Sequence, residues 1–302
     1  MKIVILGSRG QVGGELRPAL AHLGEIVALG RHECDFSVPD RAAAVIAQQR
    51  PDVVVNAAAY TAVDRAEVEP DLARRINADA VAEIATAVGS RGGLLIHYST
   101  DYVFDGTKPG PYREDDPTAP LGVYGRTKLA GERAVVASGC RHVVFRTSWV
   151  HAARGANFIR TILRLAAERD TVRVVDDQFG APTGAPLVAA VTARAIERFG
   201  AGSAATPGLV HLAAAGVASW CAVAREALAQ AARRGARLRV SAGSVVPIGS
   251  ADYPTAARRP ANSRLDTERL RTVLGLTLPP WEDGVRETVA AIVAEASRSA
   301  VA

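Results

Sequence analysis

Four apolar residues, Ile3-Val4-Ile5-Leu6, follow Lys2 and stop at Gly7-Ser8-Arg9-Gly10-Gln11-Val12-Gly13. A short β-branched run closed by glycines predicts a buried strand and a tight turn. A helix is expected through about residue 22, kinked or shortened by Pro18, which lacks the backbone N–H. The alternation then repeats, with a strand over 25–29, a helix over 42–49 and a strand over 52–55 that leaves through Asn56-Ala57-Ala58-Ala59-Tyr60. Two helices fit between about 64 and 88, before a strand over 94–98. Short apolar runs separated by helical periodicity indicate α/β architecture, a Rossmann-type doubly wound parallel sheet with ligands beyond the carboxyl ends of its strands.

From Ser99 to Pro120 the pattern lapses into Asp, Gly and Pro, and a loop of this length implies function. Periodicity resumes with a helix at Val123, a strand over 141–146 and a helix over 157–168. Further on come a short strand over 171–175, a helix near 185–198 and a strand over 209–212. Ser219 suits the cap of a helix over 220–233, and helices are expected over 266–273 and 281–296. Residues 1–150, with the chain returning at about 183–213, would form the dinucleotide-binding domain. Residues 151–182 and 214–302 would form a smaller C-terminal substrate-binding lobe.

Composition narrows the classes. Of 302 residues 48% are hydrophobic and 22% charged, as in an ordinary globular protein. Cys34, Cys140 and Cys221 lie far apart, with no Cys-x-x-Cys and no metal-ligand spacing, as reduced thiols of a cytoplasmic protein do. No stretch has the length of charge-free apolar sequence that a membrane span needs. The net charge of +5 is spread along the chain without an aromatic-interleaved basic run. That argues against nucleic acid and suits a small anionic ligand.

Gly7-x-x-Gly10-x-x-Gly13, between strand and helix, is where a pyrophosphate approaches backbone N–H groups at a helix N-terminus. Gly30-Arg31 ends the second strand with a cation in place of the acid that binds an NAD ribose, and Arg9 supplies another, so NADPH is expected, with NADH as the alternative. Asp35-Phe36 reads equally as an adenine-holding pair or as a turn aspartate beside a core phenylalanine. Tyr124 and Lys128, four apart at the start of a helix, lie on one face and roughly 5–6 Å apart. An ammonium beside a phenol lowers its pKa and readies it for proton transfer. Such a pair also arises in helices with no chemistry, and the glycine turn decides between the two.

The glycine turn, Asn56-Ala57-Ala58 and Tyr124-x-x-x-Lys128, in that order, resemble the extended short-chain dehydrogenase/reductases. Ser99-Thr100-Asp101-Tyr102-Val103-Phe104, Asp177-Gln178-Phe179-Gly180-Ala181-Pro182-Thr183 and Ala257-Arg258-Arg259-Pro260 resemble those family members that act on dTDP-sugars. The resemblance implies NADPH-dependent reduction of the C4 ketone of dTDP-4-dehydro-L-rhamnose to dTDP-L-rhamnose. It implies Tyr124 as proton donor, Lys128 on the nicotinamide ribose and Thr100 on the ketone oxygen. The cofactor would meet Gly7, Arg9, Gly10, Gln11, Val12, Gly13, Arg31, Asp35, Phe36, Asn56, Ala57, Ala58, Ala59, Tyr60 and Thr61. The dTDP-sugar would meet Thr100, Asp101, Tyr102, Trp149, Tyr253, Arg258, Arg259 and Asn262. His211, on an apolar strand, reads as a core histidine. No metal is assigned, and a homodimer is compatible with the family. The alternatives are another nucleotide-sugar reductase or epimerase, and a non-catalytic NADP-binding regulatory subunit of the same fold.

Overall fold

The apolar runs become strands in the expected order. They are β1 (Lys2–Leu6), β2 (Glu25–Leu29), β3 (Val53–Asn56), β4 (Leu94–Thr100) and β5 (Arg141–Thr147). The short β6 (Val150–His151), β7 (Arg173–Val175), β8 (Phe179–Gly180) and β9 (Thr183–Gly184) follow, then β10 (Gly208–Leu212), β11 (Ala218–Ser219) and β12 (Val246–Ile248). The computed structural model describes residues 1–200 and 205–301. One six-stranded sheet has the order β10-β5-β4-β3-β1-β2, with every neighbour parallel. From β1 the chain winds outward to β2 and then returns past β1 to β3. The order therefore switches direction between β1 and β3, where a crevice opens at the carboxyl ends of the strands.

Both faces of this sheet are covered, which explains why its strands are continuously apolar rather than alternating. Ile3, Ile5, Val53, Val55, Leu94 and Ile96 face a layer that includes α1 (Gln11–Leu20), through Leu16 and Leu20. Val4, Leu6, Val54 and Leu95 face α2 (Arg41–Gln49) on the other side. The stretch expected to hold two helices is more broken. It contains α3 (Val63–Ala66), α4 (Pro70–Arg74), a π turn over Arg75–Asp79 and α5 (Ala80–Gly89). Pro70 starts α4 in the first-turn position that tolerates it. After Pro18, α1 runs only to Leu20 before a 3₁₀ turn, Ala21–Leu23.

β4 runs two residues further than expected, to Thr100, and a 3₁₀ turn, Asp101–Val103, caps it. The irregular segment beyond is pinned through Tyr112, whose N–H donates to the Arg264 carbonyl at 2.8 Å. It ends at α6 (Val123–Ala137). The remaining helices are α7 (Phe158–Glu168), α8 (Ala185–Phe199), α9 (Trp220–Arg233), α10 (Glu268–Leu274) and α11 (Trp281–Val301). Asn157 caps α7 and Ser219 caps α9, each accepting a backbone N–H at 3.1 Å. α8 and β10 complete the sheet and its first covering layer. α7, α9 and α11 bury Ile159, Val223, Ala227, Val285 and Val289 in a separate core. One element departs from the expected division of the chain: α10, within 214–302, sends Leu270 and Leu274 into the sheet's own core.

Candidate active site

The glycine turn is shaped by two close approaches. Gly7 adopts φ +77°, and a Cβ on Gly13 would stand 2.1 Å from the Gly7 carbonyl oxygen. Only a bare α-carbon lets α1 start this near β1. Gly10 is the N-cap of α1 and supplies no side-chain cap, and the first turn holds no acid. The helix N-terminus is thus left open to an anion. A groove of about 380 Å³ runs from there along the carboxyl end of the sheet. It is lined by Gly7, Arg9 and Gly10, by Ala57, Ala58, Ala59, Tyr60 and Thr61, and by Arg31, Asp35 and Phe36. These features fit a dinucleotide.

Four further residues expected to meet the cofactor have their side chains or α-carbons engaged inside the protein, and Gln11, Val12 and Gly13 still belong to the open first turn of α1. Gln11 accepts a hydrogen bond from Asn157 at 2.9 Å, tying α1 to α7. Val12 leans on the sheet core, Gly13 packs under Gly7, and the Asn56 side chain is buried. Conversely, Cys34 and Ile76 line the groove although the sequence offered no reason to choose them. The two cations stand at the rim, each facing a carboxylate: Arg31 lies 3.2 Å from Asp35 and Arg9 3.6 Å from Glu33. Glu33 also accepts the Gly30 N–H at 2.8 Å, a contact no motif announced.

At the other end of the crevice stands α6. Its N-cap, Gly122, has no side chain, and Glu67 accepts the Val123 N–H instead at 2.8 Å. A Cβ on Gly125 would sit 2.2 Å from the Tyr102 carbonyl oxygen, so glycine lets the helix seat against the 3₁₀ turn after β4. That seating puts the Tyr124 ring edge-on to Tyr102, with centroids 5.5 Å apart, and its phenol beside Thr100. Thr100 donates to Asp101 at 3.0 Å and accepts the Tyr102 N–H at 3.1 Å. Burial raises the Asp101 carboxyl to about 6, against the hydrogen bonds from Ser263 and Thr100. Asn77, inside the π turn, joins the two ends: it accepts the Tyr60 N–H at 2.9 Å and donates to the Tyr60 carbonyl and the Thr127 hydroxyl.

Lys128 corrects one expectation. Its ammonium donates to the Tyr98 carbonyl at 2.7 Å and lies 3.5 Å from His97 Nε2. It does not lower the phenol. Tyr124 is raised above its ordinary value, first by burial and then by Asp101 and Tyr102, with Thr100 opposing. Burial brings Lys128 itself down to about 8, with Glu132 pulling the other way. Glu132 is in turn gripped by Arg146 of β5 through two hydrogen bonds, at 2.9 and 2.8 Å, with both side chains buried. His97, fully buried, meets Asn56 at 3.2 Å through Nδ1.

The residues expected to hold the sugar nucleotide divide. Trp149 takes φ +49°, uncommon for a bulky residue, and stacks on Trp220 with centroids 3.6 Å apart. Arg259 pairs with Asp64 at 2.7 Å and lies over the Tyr102 ring, latching the 253–262 segment to the sheet domain. Arg258 and Tyr253 are exposed. Asn262 is buried and donates to the Lys108 and Gly110 carbonyls, so it staples a loop rather than facing a ligand. His211 is a core histidine as expected, its Nδ1 3.1 Å from the Tyr112 carbonyl.

The family described as the RmlD substrate binding domain matches residues 1–294. The chain is 49% identical to the dTDP-4-dehydrorhamnose reductase of Shigella flexneri over 290 residues, covering 95% of this chain and 96% of that one. It is 40% identical to the same-named protein of Streptomyces griseus over 302 residues, with 98% and 95% covered. Among solved structures, the dTDP-4-dehydrorhamnose reductase of Bacillus anthracis in complex with NADP superposes with a TM-score of 0.85 at 32% identity. That match covers 96% of this chain and 98% of the other.

Proposed function

The chain belongs to the RmlD substrate binding domain family, and from that membership we infer that it is the NADPH-dependent reductase that converts dTDP-4-dehydro-L-rhamnose to dTDP-L-rhamnose. This is the closing reduction of dTDP-rhamnose synthesis. Identity of 49% over 95% of the chain to a reductase of that name supports the reaction. The observation that carries the assignment of residues is the meeting of Tyr124 with Thr100 at the carboxyl end of β4, the same edge of the sheet at which β1 runs into the glycine turn.

NADPH, when bound, supplies the hydride. Gly7, Gly10 and the open N-terminus of α1 would hold its diphosphate, and Arg9 and Arg31 the 2′-phosphate. Tyr124 gives its proton to the oxygen that develops charge as the C4 ketone is reduced. Burial keeps the phenol in its protonated form, the form that can donate. Thr100 fixes the phenol, and Lys128, one turn further along α6 and held on the Tyr98 carbonyl, would meet the nicotinamide ribose. Tyr102 and Trp149 would enclose the deoxysugar, and exposed Arg258 is the better placed of the arginine pair for the substrate's diphosphate, because Arg259 is held by Asp64.

Residues 1–150 with 183–213 would serve as the cofactor domain, and residues 151–182 and 214–302, with the α7, α9 and α11 layer, as the substrate lobe. Among the described residues no helix is long and apolar enough to cross a membrane. Three free, buried cysteines support the cytoplasm as its location.

The deciding experiment incubates the purified protein with dTDP-4-dehydro-L-rhamnose and NADPH. Stoichiometric loss of NADPH absorbance with formation of dTDP-L-rhamnose is expected. NADP binding without turnover of any dTDP-4-keto sugar would support the regulatory-subunit reading in its place.

A further inference from the structure

Asn56 has a single consistent orientation. Its Oδ1 lies 3.1 Å from the Ala58 backbone N–H, a group that can only donate, so the amide nitrogen must face the other way, 3.2 Å from His97 Nδ1. An amide nitrogen also only donates. His97 Nδ1 is therefore an acceptor and carries no proton. Burial, with Lys128 adding to it, holds the His97 pKa well below the ordinary imidazole range, so the ring is neutral and its one proton sits on Nε2. That nitrogen is the one 3.5 Å from Lys128 Nζ.

We propose that Asn56 and His97 are positioning residues: anchored on the Ala58 N–H, they turn an imidazole N–H toward Lys128 and so favour its neutral amine over its ammonium. An N–H facing an ammonium sets two donors against each other, whereas a neutral amine can accept it and still donate to the Tyr98 carbonyl. The opposite tautomer would offer Nε2 as an acceptor and stabilise the charge. The pair thereby sets the pH at which Lys128, one turn along α6 from Tyr124, loses its proton. The other charged group that meets Lys128 is Glu132 on its own helix, which favours the ammonium and is already held by Arg146 from β5. Asp101 and Tyr102, on the turn after β4, act on Tyr124 rather than on Lys128. Toward the π turn the neighbouring contact of α6 is neutral, Thr127 with Asn77. The proposal rests on reading Lys128 as the lysine of the active site, but its test needs no turnover.

Lys2, Lys108 and Lys128 are the chain's only lysines, so carbon-13 lysine labelling gives three signals to titrate, and the six histidines can be read by nitrogen-15 labelling. In the wild-type protein His97 is expected to show a bare Nδ1 and a protonated Nε2. Asn56→Asp keeps an acceptor for the Ala58 N–H and places a second carboxylate oxygen against Nδ1, which reverses the tautomer. The Lys128 midpoint should then rise by at least about one pH unit. Adding His97→Leu should remove most of that rise, because the effect runs through the ring. A proton on Nδ1 in the wild type overturns the proposal without any variant. So does an unmoved Lys128 midpoint in folded Asn56→Asp, or an equal rise in the double variant, which would be the new carboxylate acting directly. If the chain fails to reduce the sugar while these signals hold, only the functional assignment falls.

Discussion

The groove at β1 and the buried cluster under Tyr124 share one edge of the sheet but are made of different materials. In the groove the recognition elements are backbone, namely glycines and an uncapped helix end, and its cations are exposed, Arg9 at 71% and Arg31 at 76% of the side chain. Under Tyr124 the cation is Lys128, 2% exposed, and its charged neighbours Glu132 and Arg146 are equally buried. Exposed charges are screened by water and give little discrimination each. Buried ones act on one another at low dielectric, so the proton chemistry is tuned there, on Lys128 and Asp101.

The largest test of this contrast is Tyr124→Phe. With proton transfer confined to the buried cluster, kcat should fall by roughly 10²–10⁴-fold, while the NADPH Kd, measured by fluorescence titration, stays within a few-fold. A Kd that collapses with kcat would merge the two regions. Next comes Glu132→Ala, which leaves the buried Arg146 guanidinium without its carboxylate. Breaking such a pair costs about 3–5 kcal/mol, read as a lower urea midpoint at unchanged slope. A loss below about 1 kcal/mol, the range of exposed pairs, would mean that the cluster is wetter than its burial implies. The smallest effect is expected at the rim. Arg31→Ala should lower the NADPH/NADH ratio of kcat/KM by no more than about fivefold, in keeping with an exposed ion pair worth at most about 1 kcal/mol. A hundredfold loss would make the groove as electrostatically sharp as the cluster.

Much of this was legible in order along the chain. The apolar runs foretold all six strands of the sheet, β2 to the residue, because a strand buried on both faces must be apolar throughout. The glycine turn could be recognised because its requirement is local: a positive φ at Gly7 and a contact between residues six apart. The Tyr124–Lys128 spacing was likewise a property of one helix. What the helix alone could not reveal was where the lysine points. Two residues assigned to ligands, Asn56 and Asn262, have their amides engaged inside the protein, with His97 and with the Lys108 carbonyl, and an amide that binds a ligand and one that binds a neighbour look alike in sequence.

By itself, then, the sequence determined the strands of the sheet, the glycine turn and the Tyr124–Lys128 spacing, each set by interactions within a few residues. The tertiary structure alone decided their state. Val123 is capped by Glu67 from 56 residues away, Asn56 reaches His97 across 41, and His97 meets Lys128 across 31. No periodicity connects such positions. Asn56 and His97 meet as register partners on parallel β3 and β4, and α6, packed against that edge, brings in Lys128 and Val123; only that packing excludes the water that would otherwise fix their protonation at ordinary values.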